Sequence, residues 1–289
     1  MIHKSELILN NDGSIFHLHL KPENIADRII LVGDQSRVDI IAGLLDKIEL
    51  SVQNREFKSV TGWYNNCKIT IISTGIGTDN IDIVLNELDA LANIDLEKRK
   101  IKKNRRYLNI VRIGTTGALQ SNIPVNSYIV TEKSIGFDGL LNFYSDRHRY
   151  CDIDFEKAFI NFTGWNKSLP EPYVVDASKS LAVKFDGPDF INGVTISAPG
   201  FYGPQGRTLR LKPAMPELIS NIEKFKYKKW QITNFEMESS AIYGLSAMMG
   251  HKALTVCLVI ANRITHEANE NYREHMKKLV KTVMDNLAC

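Results

Sequence analysis

The chain has 289 residues, of which 44% are apolar, enough for a large core in one α/β domain or at most two. Its net charge of +3 favours no particular class of partner. The four cysteines show no CxxC spacing, which argues against a disulfide framework or a structural zinc site. No apolar stretch is long enough to span a membrane, and the first residues lack the apolar core of a signal peptide, so we expect a cytoplasmic protein that does not bind membranes.

Short apolar runs alternate with segments of helical spacing along most of the chain. Apolar runs predict strands, and apolar residues three and four apart predict helices. The predicted strands are residues 28–32, 68–72, 107–113, 127–132, 194–197 and 253–261. The predicted helices are residues 36–45, 81–91 and 271–287, and residues 234–240 begin a further apolar run of helical character.

Strands that alternate with helices indicate an α/β fold whose sheet is largely buried. Residues 138–190 are irregular and polar with several aromatic residues, and we interpret them as an elaboration rather than a domain boundary. Residues 1–289 are therefore predicted to form a single domain. In open α/β sheets ligands bind where the strands end, and glycine, serine and threonine follow several predicted strands there.

Three segments that follow predicted strands carry groups suited to an anion. Residues 33–37 (Gly-Asp-Gln-Ser-Arg) and 112–117 (Arg-Ile-Gly-Thr-Thr-Gly) combine a guanidinium with flexible backbone, and residues 73–77 (Ser-Thr-Gly-Ile-Gly) add N–H donors. Glycine lets backbone amides approach a phosphate, and arginine pairs with it bidentately. The alternative is an ordinary turn with a surface arginine. Arg112 weakens that alternative, because an unpaired guanidinium within an apolar strand is costly.

A loop at residues 201–207 reads Phe-Tyr-Gly-Pro-Gln-Gly-Arg. The amide of Gln205 and the guanidinium of Arg207 can read the oxygen and nitrogen edges of a planar, amide-like ring, while Phe201 stacks on its face. Taken alone, the loop could equally be an ordinary exposed turn.

Two acids, Glu236 and Glu238, flank Met237 at the start of the last apolar run before the carboxyl-terminal strand. Carboxylates this close are costly unless a cation, a donor or a polyol faces them. A sugar diol is such a ligand, because one carboxylate can accept from both hydroxyls. The alternative is an acidic first helical turn that complements the helix dipole.

A basic run covers residues 98–106, where seven of nine residues are Lys or Arg. Such a run can contact nucleic acid. No aromatic residue is interleaved with the cations to stack on bases, so we interpret the run as a solvated surface insertion and predict no nucleic-acid site.

Motifs of several other enzyme classes are absent from the sequence. No segment matches the P-loop, GxGxxG, GxSxG or HExxH patterns, which leaves triphosphate hydrolysis, serine hydrolysis and zinc proteolysis without support. His17 and His19 lie on one side of an alternating segment but lack a third ligand, so no metal site is predicted.

Seven segments, in this order, resemble the uridine phosphorylase family of the nucleoside phosphorylase-I superfamily. They are residues 31–37, 54–57, 73–77, 112–117, 201–207, 234–239 and 259–263. Each is weak alone, but seven in one order are highly specific. The resemblance implies a three-layer α/β/α sandwich around a mixed, barrel-like sheet. It also implies reversible phosphorolysis of uridine to uracil and ribose 1-phosphate, in nucleoside salvage and catabolism.

The resemblance also implies a phosphate site that two subunits share. The residues implied to hold phosphate within one chain are Gly33, Arg37, Arg112 and Thr115. Arg55 is implied to reach the phosphate of the neighbouring subunit, and His17 the ribose 5′-hydroxyl there. A homodimer is then the minimum assembly, with larger rings of dimers allowed. The resemblance implies no cofactor beyond phosphate as co-substrate, and allows a monovalent cation at the dimer interface near Glu56.

The remaining implied roles concern the nucleoside. Met237 and Glu238 are implied to hold the ribose, with Glu238 on the 2′ and 3′ hydroxyls, and Glu236 to support that end of the site. Phe201 is implied to pack on uracil, and Gln205 and Arg207 to read it. The catalytic residues implied in this way are Arg112, Arg207 and Glu238.

The charges agree with this chemistry. Cleavage of a glycosidic bond builds positive charge on the ribose and negative charge on the leaving base. Phosphate stabilises the first, and the Gln205 and Arg207 donors stabilise the second. Each donor aimed at developing charge is worth roughly 3–4 kcal/mol.

Two departures from the family pattern stand out. Residues 203–207 read Gly-Pro-Gln-Gly-Arg, where Pro-Gly before the Gln and Glu after it are usual, and residues 96–106 lengthen a connection that is short in bacterial relatives. Two alternatives stay open: a purine-specific relative or water-using nucleosidase, and a non-catalytic nucleoside-binding protein. The lack of Asp beside Arg263 speaks against a purine, and the intact Arg37, Arg55 and Arg112 against the other two.

Overall fold

The computed structural model describes residues 1–288 and shows a mixed α/β fold. The strands, in chain order, are β1 (Arg28–Val32), β2 (Lys47–Asn54), β3 (Phe57–Tyr64), β4 (Cys67–Ser73), β5 (Ile94–Asp95), β6 (Lys100–Ile101), β7 (Asn109–Ala118), β8 (Tyr128–Gly136), β9 (Tyr173–Asp176), β10 (Phe190–Ser197), β11 (Lys226–Tyr227), β12 (Trp230–Glu236) and β13 (Lys252–Asn262). The helices are α1 (Gln35–Ala42), α2 (Thr78–Asn93), α3 (Ile153–Thr163), α4 (Lys179–Ala182), α5 (Leu218–Lys224), α6 (Ser239–Met249) and α7 (Arg273–Ala288).

One sheet of eleven strands organises the molecule. Strands β7, β13, β8, β10 and β12 pair in that order, and β12 pairs back onto β7, so these strands form a closed ring. An open wing of β1, β4, β3 and β2 extends from β7. Parallel and antiparallel pairs both occur, which confirms the predicted mixed, barrel-like sheet.

Helices cover the open wing on both faces. Along β1 the side chains alternate: Ile29 and Leu31 pack with residues of α2 and α6, while Ile30 and Val32 pack with residues of α1 and α7. All four are fully buried, and burial of each contributes about 1.5–3 kcal/mol. The predicted three-layer α/β/α arrangement is therefore confirmed.

The prediction that residues 138–190 are irregular was wrong in part. They contain α3, α4 and β9. Helix α3 begins where Asp152 accepts from the N–H of Phe155. It buries two aromatic side chains, Phe155 and Phe159, against Phe225, the residue that follows α5. Few aliphatic residues mark this packing in the sequence, so the helical spacing was missed.

Strand β7 runs further than predicted. Residues 114–117, predicted as a loop, continue the strand because Thr115 pairs with Leu258 of β13 and Gly117 pairs with Phe235 of β12. The same pairing makes residues 230–236 a strand, so Glu236 ends β12 and does not open a helix. The hairpin of β2 and β3 was also not predicted.

The basic run is partly anchored. Strand β6 lies within the run and pairs with β5, which precedes it. Arg106, at the end of the run, forms an ion pair with Asp27 at 2.7 Å. The ammonium of Lys102 lies against the last carbonyls of α2, where a cation complements the helix dipole. Over residues 1–288, none of the helices combines the length and apolar character that crossing a bilayer demands.

Candidate active site

A cavity of about 360 Å³ lies where β1 and β12 end, beside β7. Most residues implied by the resemblance to bind substrate line this one cavity. They are Gly33, Arg37, Arg112, Thr115, Phe201, Gln205, Arg207, Glu236, Met237 and Glu238. The fold thus brings together segments that are far apart in sequence, while His17 and Arg55 do not line it.

Two of the larger cavities offer less chemistry. One of about 560 Å³ has Lys133 held between Asp152 and Asp176, so its buried cation is already paired. The other, of about 580 Å³, is largely apolar and lies behind the loop that carries Arg207. The cavity of about 360 Å³ joins several arginines to two buried carboxylates, which is typical of a catalytic site.

One end of the cavity is formed by the start of α1. The side chain of Asp34 accepts from the N–H of Arg37 at 3.0 Å and from its guanidinium Nε at 2.6 Å. The same guanidinium donates to the Ile113 carbonyl at 3.3 Å. Arg37 is thereby held facing the cavity beside Gly33 at a helix N-terminus, which is a ready site for an anion.

The centre of the cavity is a buried cation between two carboxylates. The guanidinium of Arg112 donates to Glu238 and lies 3.2 Å from a carboxylate oxygen of Glu236. Its side chain folds back over Gly114, where any Cβ would come within 2.2 Å of Nη1. The Nε of Arg112 has no partner in the described chain. The two ion pairs thus stabilise the buried guanidinium, and its Nε remains available as a donor.

The pKa values follow from this arrangement. Burial would lower the pKa of Arg112, but the charges of Glu238 and Glu236 raise it above its ordinary value. Burial and the nearby Glu236 charge raise the pKa of Glu238 to about 7, against the opposing effects of Arg112 and of the Gly77 N–H. Glu238 therefore gains or loses a proton near neutral pH.

The carboxylate of Glu236 is occupied by the protein. It accepts from the hydroxyls of Ser197 at 2.5 Å and Ser239 at 2.6 Å. It also accepts from the backbone N–H groups of Glu238 at 2.9 Å and Ser239 at 3.0 Å. These bonds fix the turn between β12 and α6, which leaves Glu238 as the acid that faces the cavity.

At the other end of the cavity, the loop after β10 holds its polar groups together. The guanidinium of Arg207 donates to the Phe201 carbonyl at 2.6 Å and to the Gln205 side-chain oxygen at 2.5 Å, and it packs on the Phe201 ring at 3.8 Å. Burial and the positive charge of Arg263 lower the pKa of Arg207 to about 10. The two groups predicted to read a base thus bind each other in the structure.

His17 and Arg55 lie together outside their own cavity. Asn54, on the turn that carries Arg55, donates to the His17 carbonyl at 2.8 Å. Arg55 adopts a left-handed backbone with φ of 55°, a strained conformation for a residue with a side chain, and its guanidinium lies 5.9 Å from the ring of Phe16. His17 and Arg55 are thus neighbours, and neither lines the cavity of its own chain.

Sequence reasoning missed several residues that shape the site. The Gly77 N–H was predicted as a phosphate donor, but it donates to Glu238 at 2.8 Å. Arg263 supports the loop after β10, because its guanidinium donates to the Gln205 carbonyl at 3.2 Å. Ser197, at the end of β10, carried a signal that was not used: a hydroxyl at the end of a buried strand. Within residues 1–288, no three His, Cys, Asp or Glu side chains are grouped to hold a metal ion.

Comparison with known proteins agrees with the geometry. The sequence profile of the phosphorylase superfamily matches residues 27–288, so the chain belongs to the phosphorylase superfamily. Within it, the chain is 28% identical over 256 residues to the uridine phosphorylase of Thermococcus kodakarensis, covering 89% of this chain and 80% of that protein. It is 29% identical over 280 residues to the uridine phosphorylase of Escherichia coli, covering 94% and 96%.

A solved structure gives the same result. The nucleoside phosphorylase of Trypanosoma brucei, described as showing uridine phosphorylase activity, superimposes with a TM-score of 0.89 at 30% identity, over 97% of this chain and 99% of that one. The resemblance drawn from the seven segments is therefore confirmed.

Proposed function

We propose that this protein catalyses the reversible phosphorolysis of uridine to uracil and ribose 1-phosphate, as an enzyme of the pentosyltransferase class. The observation that carries the proposal is the cavity itself. Arg37 and Arg112, the buried carboxylate of Glu238, and Gln205 and Arg207 all line it, which supports an anion site, a ribose site and a base site in one space. These are the three groups that a phosphate, a ribose and a pyrimidine require.

Phosphate binds between the start of α1 and the middle of β7. Gly33, Arg37, Arg112 and Thr115 surround the position with backbone and side-chain donors. The unpartnered Nε of Arg112 is a donor that a phosphate oxygen can satisfy. An oxygen of the bound phosphate then attacks C1′ of the ribose as the bond from C1′ to N1 of uracil breaks.

Ribose binds over Met237 with its 2′ and 3′ hydroxyls on Glu238. In the structure, Arg112 donates to Glu238. Arg112 shifts toward phosphate when that anion arrives, which frees the carboxylate to accept from the diol. Glu236 supports this exchange by holding the turn in place.

Uracil binds at the loop after β10. Gln205 and Arg207 exchange their mutual hydrogen bond for bonds to the ring, and Phe201 packs on its face. Negative charge builds on the leaving base, and a guanidinium in a partly buried site stabilises it. Arg112, Arg207 and Glu238 are thus the catalytic residues of the proposal.

The rest of the proposal concerns the assembly. His17 and Arg55 complete the site of a neighbouring subunit, which makes a homodimer the minimum unit. Residues 1–289 act as one domain in the cytoplasm, with phosphate as co-substrate and no other cofactor. Glu56, on the same turn as Arg55, lies near the position for an interface cation.

The test is cleavage of uridine and of inosine, each with and without phosphate. We expect uracil from uridine only when phosphate is present. Cleavage of inosine would indicate a purine-specific relative instead, and cleavage without phosphate would indicate a nucleosidase. Binding of uridine without any cleavage would contradict catalysis.

A further inference from the structure

Glu87 of α2 is the main partner of the segment that carries His17. One carboxylate oxygen lies 2.6 Å from the ring nitrogen Nδ1 of His17. The same carboxylate accepts from the backbone N–H of His17 at 3.0 Å and from that of Leu18 at 2.8 Å. Three groups of a turn without regular structure therefore converge on one side chain from another element.

The surroundings of the ring leave only one nitrogen available. The His17 side chain is 26% exposed, and the rings of Phe16 and Phe57 meet it edge to face at 4.7 and 6.3 Å. Nδ1 is occupied by Glu87, whose side chain is 12% exposed. Nε2 is the nitrogen left to contact another molecule.

The carboxylate decides where the proton of the neutral ring resides. An ionised carboxylate only accepts hydrogen bonds, so Nδ1 must be the donor. Nε2 then carries a lone pair and is an acceptor. A hydrogen bond to one imidazole nitrogen commonly sets the role of the other in this way.

We propose that Glu87 is a positioning residue that makes His17 Nε2 a hydrogen-bond acceptor and so selects nucleosides with a donor at the 5′ carbon. This inference rests on the proposed function, in which His17 contacts the 5′ group in the neighbouring subunit's site. A 5′-hydroxyl or 5′-amine can donate to Nε2. A 5′-phosphate offers only acceptors and negative charge, so nucleotides are rejected.

The first test compares kcat/KM for uridine, 5′-deoxyuridine and 5′-amino-5′-deoxyuridine in mildly alkaline buffer, where an ordinary imidazole is neutral. Glu87→Gln keeps an oxygen for the backbone N–H groups but turns its NH₂ toward Nδ1, which moves the ring proton to Nε2. We expect kcat/KM of the variant for 5′-amino-5′-deoxyuridine, with its amine as ammonium, to fall at least about tenfold relative to kcat/KM for uridine. The reason is that two donors, the ammonium and Nε2–H, then face each other. The value for 5′-deoxyuridine should be unchanged.

Two controls separate positioning from a structural role or a charge effect. Asp82→Asn removes a carboxylate from the same helix, where it contacts Tyr144 and Asn86, and should leave the substrate ratios unchanged. When His17 is already replaced by Ala, Glu87→Gln should no longer alter the ratio of kcat/KM for 5′-amino-5′-deoxyuridine to kcat/KM for uridine. Equal losses on all three substrates would reduce Glu87 to a structural tether and overturn the proposal.

The second test needs no variant. The ¹⁵N shifts of His17 in the wild-type protein report which ring nitrogen carries the proton. We expect the tautomer protonated at Nδ1, and protonation at Nε2 would overturn the proposal. Uridine phosphorolysis by the same sample reports the proposed function independently, so failure of one is distinguishable from failure of the other.

Discussion

At the scale of single residues, the site depends on one buried guanidinium shared by two carboxylates. Arg112 is 5% exposed, Glu236 is 4% and Glu238 is 2%. Two negative charges beside one positive charge in a buried site leave one carboxylate undercompensated. Because four donors already hold Glu236, the excess falls on Glu238, the acid that we propose binds the ribose.

This imbalance predicts a pH dependence of stability. The pKa of Glu238 is about 7 when folded and 4.5 as its ordinary value, so the folded state binds the extra proton between these limits. The free energy of unfolding should therefore fall as pH rises from 4.5 to 7, by about 3 kcal/mol for this group, and level off above 7. Glu238→Gln lacks that titration.

The measurement is urea unfolding of both proteins across this pH range in a buffer free of phosphate. The free energy of unfolding of the wild type, relative to that of Glu238→Gln, should fall as pH rises. A difference that stays constant with pH would show that Glu238 is ionised throughout.

Arg207 carries a second prediction. Arg207→Ala should lower kcat/KM for uridine by about 100- to 1,000-fold, because it removes a donor to the leaving base. Arg210→Ala is the matched control, since Arg210 is on the same loop and lines the neighbouring apolar cavity instead. Similar activity of the two variants would remove the argument for base recognition.

At the scale of elements, the contact between β7 and β12 closes the ring of strands and carries Glu236 to the site. Thr116 of β7 donates to the Phe235 carbonyl at 2.5 Å and accepts from the Asn234 amide at 2.7 Å. Both bonds are buried, so this hydroxyl joins the two strands beside the cavity.

Removal of that hydroxyl should affect both stability and activity. Thr116→Val keeps the shape but leaves a buried carbonyl and amide unpaired, at about 2–4 kcal/mol of unfolding free energy. We also expect a higher KM for uridine, because the turn bearing Glu238 loses its support. Thr116→Ser keeps the hydroxyl and serves as control; urea titration and kinetics that fail to separate Val from Ser would refute this role.

Elements with local signals could be predicted from sequence, and those fixed by distant pairing could not. The aliphatic pattern of residues 28–32 and 253–261 predicted buried strands that the structure contains as β1 and β13. Thr115 and Gly117 form a strand only because β12 and β13 lie beside them.

The candidate site shows the same division. Charges and glycines in sequence pointed to residues that line the cavity, but not to their partners. Nothing local to residues 73–77 shows that the Gly77 N–H turns toward Glu238, 161 residues away in the chain. The two hydroxyls around Glu236 likewise come from distant elements, Ser197 from the end of β10 and Ser239 from the start of α6.

At the scale of the whole molecule, we propose that the site in one chain is completed by the partner's His17 and Arg55. Both lie together outside the cavity of their own chain. A neighbouring subunit related by a two-fold axis can exchange these groups reciprocally.

Sharing of the site predicts complementation between inactive variants. Arg55→Ala and Arg207→Ala should each be inactive alone. In a mixed dimer, one site has its own Arg207 and the partner's intact arginine at position 55, so random mixing should restore about a quarter of wild-type activity. The assay follows uridine cleavage after the variants are unfolded and refolded together, and no recovery would contradict a shared site.

The destination of the ribose tests the central claim most directly. Uridine and phosphate should be incubated with the protein while ³¹P NMR and ultraviolet absorbance are followed together. We expect one ribose 1-phosphate to form and one phosphate to be consumed for each uracil released. Release of uracil with free ribose and unchanged phosphate would contradict it.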